Sequence, residues 1–204
     1  MLDFFMDNFY TSNELLDTNL REVEFSVIDF ETTGLYPYNG DRIIEVGIVR
    51  VTSEKILKTY ESFINPGILI PENVTKINKI TNKMVETAPV ITDKMDEMLD
   101  FMKNSVIVAH NLSFDLSFLN FQLQKMNRSK VDHWLLDTIK VAKAILPGLE
   151  NYKLSTVIKA LNIKNRDSHR ALADTEATAK ALQMMIAKLD GISVLKDLNP
   201  FKIH

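Results

Sequence analysis

From Glu24 onward, apolar and polar positions alternate with the period of an extended strand. In Phe25-Ser-Val-Ile-Asp-Phe-Glu31 this puts Asp29 and Glu31 on the face of Phe25 and Val27, while Ile28 and Phe30 face the other way. Two further apolar runs, Arg42 to Thr52 and Ile56 to Ile64, are joined to it by connections containing Gly34, Pro37, Asn39-Gly40 and Ser53-Glu54. The three read as an antiparallel meander. Asn65-Pro66-Gly67 closes the meander, and the period changes. Ile70-Pro71 opens a helical stretch with Val74, Ile77 and Ile80, and Thr87-Ala88-Pro89 leads into a helix whose Met95, Met98, Leu99 and Met102 read as core. Val106 to Ala109 is a short buried strand running into His110-Asn111. Ser113 then caps a helix carrying Phe114, Leu116, Phe118, Leu119 and Leu123. Trp134 to Leu136 is another short strand. Helices follow from Thr138 to Leu146, ended by Pro147-Gly148, and from Leu154 to Leu161; a polar loop, Asn162 to Arg170, precedes a long helix from Ala173 to Leu189.

A meander followed by strands alternating with helices predicts an α/β fold, a mixed sheet of three antiparallel strands and then parallel strands, with helices on its faces. Sites in such sheets lie at strand ends where connections diverge, and Asp29, Glu31 and His110 all fall at predicted strand ends. Residues 1–22 are expected to form an N-terminal helical extension, 23–190 the main domain, and 191–204 a C-terminal tail or docking strand. The extension, with Leu2, Phe5, Phe9, Leu15, Leu16 and Leu20 among acids and amides, reads as a brace on the main body; a docking segment for a partner is the alternative.

Composition narrows the function classes. At 204 residues, 46% hydrophobic and 25% charged, the chain is that of a soluble globular domain with a substantial core. No apolar run approaches the roughly 20 residues of a membrane span. The start, Met-Leu-Asp-Phe-Phe-Met-Asp, lacks a secretory signal's basic segment and cleavage site. Zero cysteines exclude disulfides and thiolate metal sites, and the cytoplasm is the expected location. The net charge of −3 is not that of a passive nucleic-acid binder. It is compatible with a polyanionic substrate where converging acids hold cations that reverse the local sign.

Three patches carry candidate chemistry. Asp29 and Glu31 share one small area at the end of a buried strand, where unpaired charge is costly and Mg2+ or Mn2+ suits hard oxygen donors. Alone, Asp-x-Glu reads more simply as a strand reaching the solvated rim of its sheet. In His110-Asn-Leu-Ser-Phe-Asp115 the acid falls in the first turn of a helix, and His169-Arg-Ala-Leu-Ala-Asp174 repeats that arrangement. An acid there is already favoured by the helix dipole, by a few tenths of a kcal/mol.

Together the three segments, Asp29-Phe-Glu31-Thr-Thr-Gly-Leu35, His110-Asn-x-x-Phe-Asp115 and His169-Arg-Ala-x-x-Asp174-x-x-Ala177-Thr178, resemble the motifs of the DEDDh, or DnaQ-like, 3'-5' exonucleases. Within that family the chain is most similar to the proofreading epsilon subunit and the PolC exonuclease domain of bacterial DNA polymerase III, from about Phe25 to Leu189 and in the same order. The resemblance implies a ribonuclease H-like sheet. It also implies that 23–190 is an exonuclease domain in which Asp29, Glu31, Asp115 and Asp174 hold two Mg2+ or Mn2+ ions and His169 is the general base. Imidazole suits that role because its ordinary pKa, about 6.5, lies near working pH. Substrate contacts are implied for Thr32, Leu35, Asn111 and Phe114, with Leu35 or Phe114 against the terminal base.

The implied reaction is metal-dependent hydrolysis of DNA from a free 3' end to nucleoside 5'-monophosphates, on single-stranded or frayed ends, in proofreading or repair. The alternatives are the same chemistry on RNA and a non-catalytic partner-binding module of the replication machinery. A proofreading role implies a DNA polymerase partner, reached through Met1 to Arg21 or the tail. One departure stands out: where the family often has His-Gly after the meander, this chain reads Lys76-Ile-Asn78-Lys79-Ile80-Thr81. Arg170 and Lys79 are candidates for phosphate contacts or for solvated surface. Glu45 and Asp137 are expected in structural roles near the active edge, and His133 and His204 are expected to be exposed.

Overall fold

The computed structural model describes residues 14–164, 170–189 and 194–202. Most of the expected N-terminal extension, together with His169 and His204, lies outside the described residues. Five strands form one sheet in the order β3-β2-β1-β4-β5, with β1 Phe25–Thr32, β2 Ile43–Val51, β3 Ile56–Phe63, β4 Val106–Ala109 and β5 Leu135–Asp137. β1 pairs with β2 and β2 with β3 antiparallel, whereas β1 pairs with β4 and β4 with β5 parallel. This is the mixed sheet expected from the sequence. No described helix is long and apolar enough to cross a membrane.

The alternation within β1 divides the core in two. Phe25 and Val27 pack with Val49 and Val51 of β2 against α5 (Thr138–Ile145), α6 (Leu154–Ala160) and α7 (Ala171–Ile186). Ile28 and Phe30 pack on the opposite face with α3 (Ile91–Met102) and α4 (Leu112–Lys125), where Met95, Met98 and Met102 are fully buried. Full burial of each such side chain contributes about 1.5–3 kcal/mol. A smaller cluster of Ile44, Ile70, Ile80 and Val85 seats α1 (Glu72–Asn78) and α2 (Asn82–Val85) at one edge.

Three local expectations are revised. The stretch from Ile70 to Ile80 is interrupted by Lys79, whose left-handed backbone (φ 62°) ends α1 before α2 begins. The cap of α4 is Asn111 rather than Ser113: Asn111 adopts φ 72°, which asparagine tolerates, and Ser113 falls inside the first turn. His133 is half-buried rather than exposed, with burial lowering its pKa, because it lies just before the strand that carries Leu135 into the core. The two ends of the described chain meet. Asn19 bridges to Val194, Leu195 N–H donates to the Thr18 carbonyl, and Phe201 pairs with Leu135 along the outer edge of β5.

One close approach fixes where α7 begins. Gly47 lies opposite Asp29 in the β1–β2 register, and a Cβ there would come within 2.4 Å of the Ala171 carbonyl carbon and 2.7 Å of the Leu172 nitrogen. Both are backbone atoms and cannot rotate away. Gly47→Ala is therefore expected to cost about 1–3 kcal/mol through overpacking, which lowers the melting temperature by about 2–4 °C per kcal/mol in a domain of this size. A melting curve superimposable on the parent's rejects this contact as the constraint on α7.

Candidate active site

β1 outlasts its parallel neighbour. Its pairing with β4 ends at Val27 and Val108, while β1 continues to Thr32 alongside β2. The even-numbered backbone groups of β1 face β4, as the Val106 N–H bonded to the Glu24 carbonyl shows. Beyond the end of β4 the Phe30 N–H thus needs another acceptor, and the Asp115 Oδ1 supplies it at 3.0 Å. Asp115 reaches that position because only His110 and Asn111 separate β4 from α4. The left-handed Asn111 turns the chain, with its N–H on the Asp137 Oδ1 at 3.3 Å. Asp115 is 2% exposed, and burial pushes its carboxyl up to about 8 despite the backbone N–H bonds that favour the charged form.

Asp29 and Glu31 project from the same face of β1, where Asp174 meets them from the first turn of α7. One carboxylate oxygen from each of these three lies within 4.8 Å of the others. Asp29 retains some solvent contact, yet its carboxyl is held well above the usual range. Burial is the main cause, and repulsion from Asp115, Glu31, Asp174 and Glu45 adds to it. Hard oxygen donors so crowded fit a divalent cation, whose charge offsets that repulsion.

The supports of this cluster come from distant parts of the chain. Glu45, 3% exposed, accepts from the Arg170 Nε at 3.0 Å, the Arg170 Nη2 at 2.6 Å and the Ala171 N–H at 3.0 Å. It clamps the start of α7 to β2 beside Gly47, and the Arg170 guanidinium lies 5.3 Å from the centre of the Phe63 ring. Asn78, 2% exposed, donates from Nδ2 to the Glu31 Oε2 at 3.2 Å and accepts the Ile80 N–H on Oδ1 at 3.0 Å. Neither Asn78 nor the Glu45–Arg170 clamp was expected as a support of the acids. The sequence signal for Asn78 is its place in the Asn78-Lys79 pair. Lys79 holds a backbone conformation that favours glycine.

Other expected residues lie as follows. Thr32 is buried, its hydroxyl donating to the Gly34 carbonyl at 2.6 Å. Leu35 is 64% exposed on the loop after β1. Asn111 is exposed at the start of α4, and Phe114 is half-buried against Phe118 with ring centroids 5.2 Å apart. His110 turns away from acid–base work. Its Nε2 faces the Tyr152 carbonyl at 2.8 Å and so carries the proton, its Nδ1 lies 2.9 Å from the Thr138 hydroxyl, and burial lowers its pKa. Asp137 caps α5 by accepting the Ile139 N–H at 2.9 Å, a structural role.

The exonuclease family profile matches residues 26–182. DNA polymerase III PolC-type from Caldanaerobacter subterraneus subsp. tengcongensis is 39% identical over 180 residues, 87% of this chain and 13% of the relative. The 3'-5' exonuclease DinG from Bacillus subtilis is 32% identical over 187 residues, 91% of this chain and 20% of the relative. The chain thus spans only a small fraction of these curated relatives. Among solved structures, exonuclease X in complex with 5' overhanging duplex DNA superposes with TM-score 0.66 at 24% identity, covering 85% of this chain and 98% of that one. The nuclease domain of 3'hExo, a DEDDh family member bound to rAMP, superposes with TM-score 0.73 at 20% identity, covering 84% and 94%. These two show a shared, ribonuclease H-like fold. By the profile match, which spans most of its length, this chain belongs to the exonuclease family.

Proposed function

We propose that the chain is a 3'-5' exonuclease that hydrolyses DNA to nucleoside 5'-monophosphates with Mg2+ or Mn2+, two ions held by Asp29, Glu31, Asp115 and Asp174. The observation that carries this is the convergence of Asp29, Glu31 and Asp174, whose carboxylate oxygens lie within 4.8 Å of one another, with Asp115 bordering them. Bound divalent ions supply a water of lowered pKa and charge stabilisation for the departing 3' oxygen. Asn78 keeps the Glu31 carboxylate in a fixed orientation. Glu45 and Arg170 hold α7 so that Asp174 faces Asp29. His169, next to the clamped Arg170, takes the proton from the attacking water. Leu35 and Phe114 meet the terminal nucleotide, and Thr32 and Asn111 complete its cradle.

DNA is favoured because the PolC-type relatives are DNA polymerases and the exonuclease X structure holds duplex DNA. RNA is the second reading, favoured by the fold shared with a 3'-exonuclease that recognises a histone mRNA stem-loop. The same relatives support action beside a DNA polymerase and a cytoplasmic setting. We divide the chain into an extension over 1–22, a catalytic domain over 23–190 and a tail over 191–204. The contacts of Thr18 and Asn19 with Val194 and Leu195 support a brace formed jointly by the two ends.

His169→Ala is expected to reduce hydrolysis of 5'-labelled oligonucleotides by about 10²–10⁴-fold, the range for loss of a positioned proton-transfer group, and Asp29→Ala, which removes an ion ligand, to abolish it, both with unchanged circular dichroism. Wild-type laddering from either variant defeats the assignment. Asn78→Ala is expected to raise the Mn2+ concentration for half-maximal activity by about 10–100-fold, as loss of a hydrogen bond to a metal ligand does elsewhere; a titration of rate against Mn2+ checks it.

Stability should depend on pH in a defined direction when divalent cations are removed. From the ordinary carboxyl value of 3.8 up to about 8, folded Asp115 binds protons that the unfolded chain has released. Stability therefore falls as pH rises through that window. The chelated protein is expected to melt lower at pH 8 than at pH 5.5. Asp115→Asn, which keeps an acceptor for Phe30, should flatten that slope, and Mn2+ should raise the pH 8 value by binding the native state alone. Equal slopes in parent and variant reject the electrostatic account.

A further inference from the structure

The loop between β1 and β2 presents an unusual surface. Tyr36 and Tyr38 are 62% and 70% exposed, and they are the exposed aromatic side chains among the described residues. The loop that carries them is firmly held. Pro37 is buried, the Tyr36 N–H donates to the Asp41 Oδ2 at 2.9 Å, the Asn39 N–H to the Tyr36 carbonyl at 2.9 Å, and the Thr33 N–H to the Arg42 carbonyl at 2.8 Å. Gly34 leaves room for the Asp41 carboxylate, which lies 2.4 Å from where a Cβ would be. Two large apolar rings are thus displayed to solvent at fixed positions.

The edge of this loop rests on α4. Tyr38 meets Phe121 edge-to-face, with centroids 5.0 Å apart, and the Arg42 guanidinium and the Lys125 ammonium lie 5.7 and 5.4 Å from the centre of the Phe121 ring. Phe114, Phe121 and Lys125 fall on one stripe of the helix, because spacings of seven and eleven residues return to nearly the same face. At 1.5 Å per residue that stripe runs about 16 Å from the beginning of α4, where Asp115 lies, to its far end. The chain as a whole is acidic, with net charge −3, and the catalytic acids add to that at the near end. Arg42 and Lys125 place two cations on the half-buried Phe121 ring, beside the exposed Tyr38. Rings interleaved with cations match the recognition of a single-stranded polynucleotide, whose bases stack on any π-face and whose phosphates attract cations.

We propose that Tyr36, Tyr38, Phe121, Arg42 and Lys125 form a track that binds the single-stranded segment leading to the scissile phosphodiester, several nucleotides from the reacting 3' end. This rests on the nuclease reading above but concerns residues outside its acid cluster. The track gives affinity without sequence preference, and Tyr36 and Tyr38 supply its stacking surfaces.

The test compares a substrate too short to reach the track with one that spans it. The p-nitrophenyl ester of thymidine 5'-monophosphate reports on the acid cluster alone, and a 5'-labelled oligothymidylate of about ten nucleotides engages both. Tyr38→Ala should raise KM for the oligonucleotide about fivefold or more, the lower end of the loss of one base–aromatic stack, and Lys125→Ala should raise it through the loss of a fixed cation. The kcat on the oligonucleotide and hydrolysis of the ester should be unchanged, and Tyr38→Phe should restore the parent KM. Unaltered oligonucleotide KM in both alanine variants overturns the track and leaves this surface to a protein partner. A parallel loss on ester and oligonucleotide also overturns it, since the substitutions would then act through the acid cluster. A parent inactive on both substrates with Mg2+ and Mn2+ instead brings down the nuclease reading itself, and the track with it.

Discussion

Repulsion among carboxylates that the backbone does not allow to separate is the constraint around which the rest of the structure is arranged. Asp29 and Glu31 are two residues apart on one strand face, Asp174 enters from a helix whose start is tied to the neighbouring strand, and Asp115 is held by the backbone N–H of Phe30. Each placement follows from a local rule: the two-residue period of a strand, the short connection from β4 to α4, and a glycine that permits close packing. None of these rules concerns charge. Their joint result is a buried cluster in which desolvation first, and mutual repulsion in addition, raise the carboxyls of Asp29 and Asp115 and weaken the fold by doing so. Like charges gathered at a loss in stability are expected where function, rather than folding, selects the residues.

Glu45 shows how the fold treats an acid that is not at the reacting centre. It pairs in register with Glu31 across β1 and β2, yet it is met by the Arg170 guanidinium and the Ala171 N–H. A buried carboxylate with a charge-assisted partner and a backbone donor is satisfied in place and serves as an anchor. What it anchors is the first turn of α7, three residues before Asp174. The Asn78 amide acts on Glu31 with a neutral donor, which orients the carboxylate without neutralising it. The two supports differ in kind because one holds a helix and the other holds a side chain.

Much of the fold was legible because it depends on short periods. The two faces of β1 and the methionine-lined face of α3 follow from spacings of two or about four residues. The acids at the strand end and at the helix starts were legible for the same reason. The contact between Glu45 and Arg170 spans 125 positions, and no local pattern encodes it. Asn78 was hidden because its acceptor, Glu31, is 47 positions away. Asn111 displaced Ser113 as the cap of α4 because both residues are good caps and only the path of the chain out of β4 decides between them. His133 precedes a strand whose outer edge is bridged by Phe201, a contact 66 positions along the chain from Leu135.

The net charge of −3 creates a difficulty for any chain that handles a polyanion, and the structure suggests how the difficulty is divided. At the proposed reacting end, attraction to phosphate would have to come from cations gathered by the acids, and would exist only where and when such ions are bound. Further along the proposed track, exposed tyrosines offer attraction that does not depend on net charge, and Arg42 and Lys125 add two fixed cations. A binder built on many lysines and arginines loses affinity steeply with salt because it releases many counterions. One built on stacking and two fixed cations should lose little, and it has no broad basic surface on which a strand could settle out of register. Weak global attraction combined with a few directional contacts favours a strand that enters by its end, which is the geometry that removal of one terminal nucleotide at a time requires.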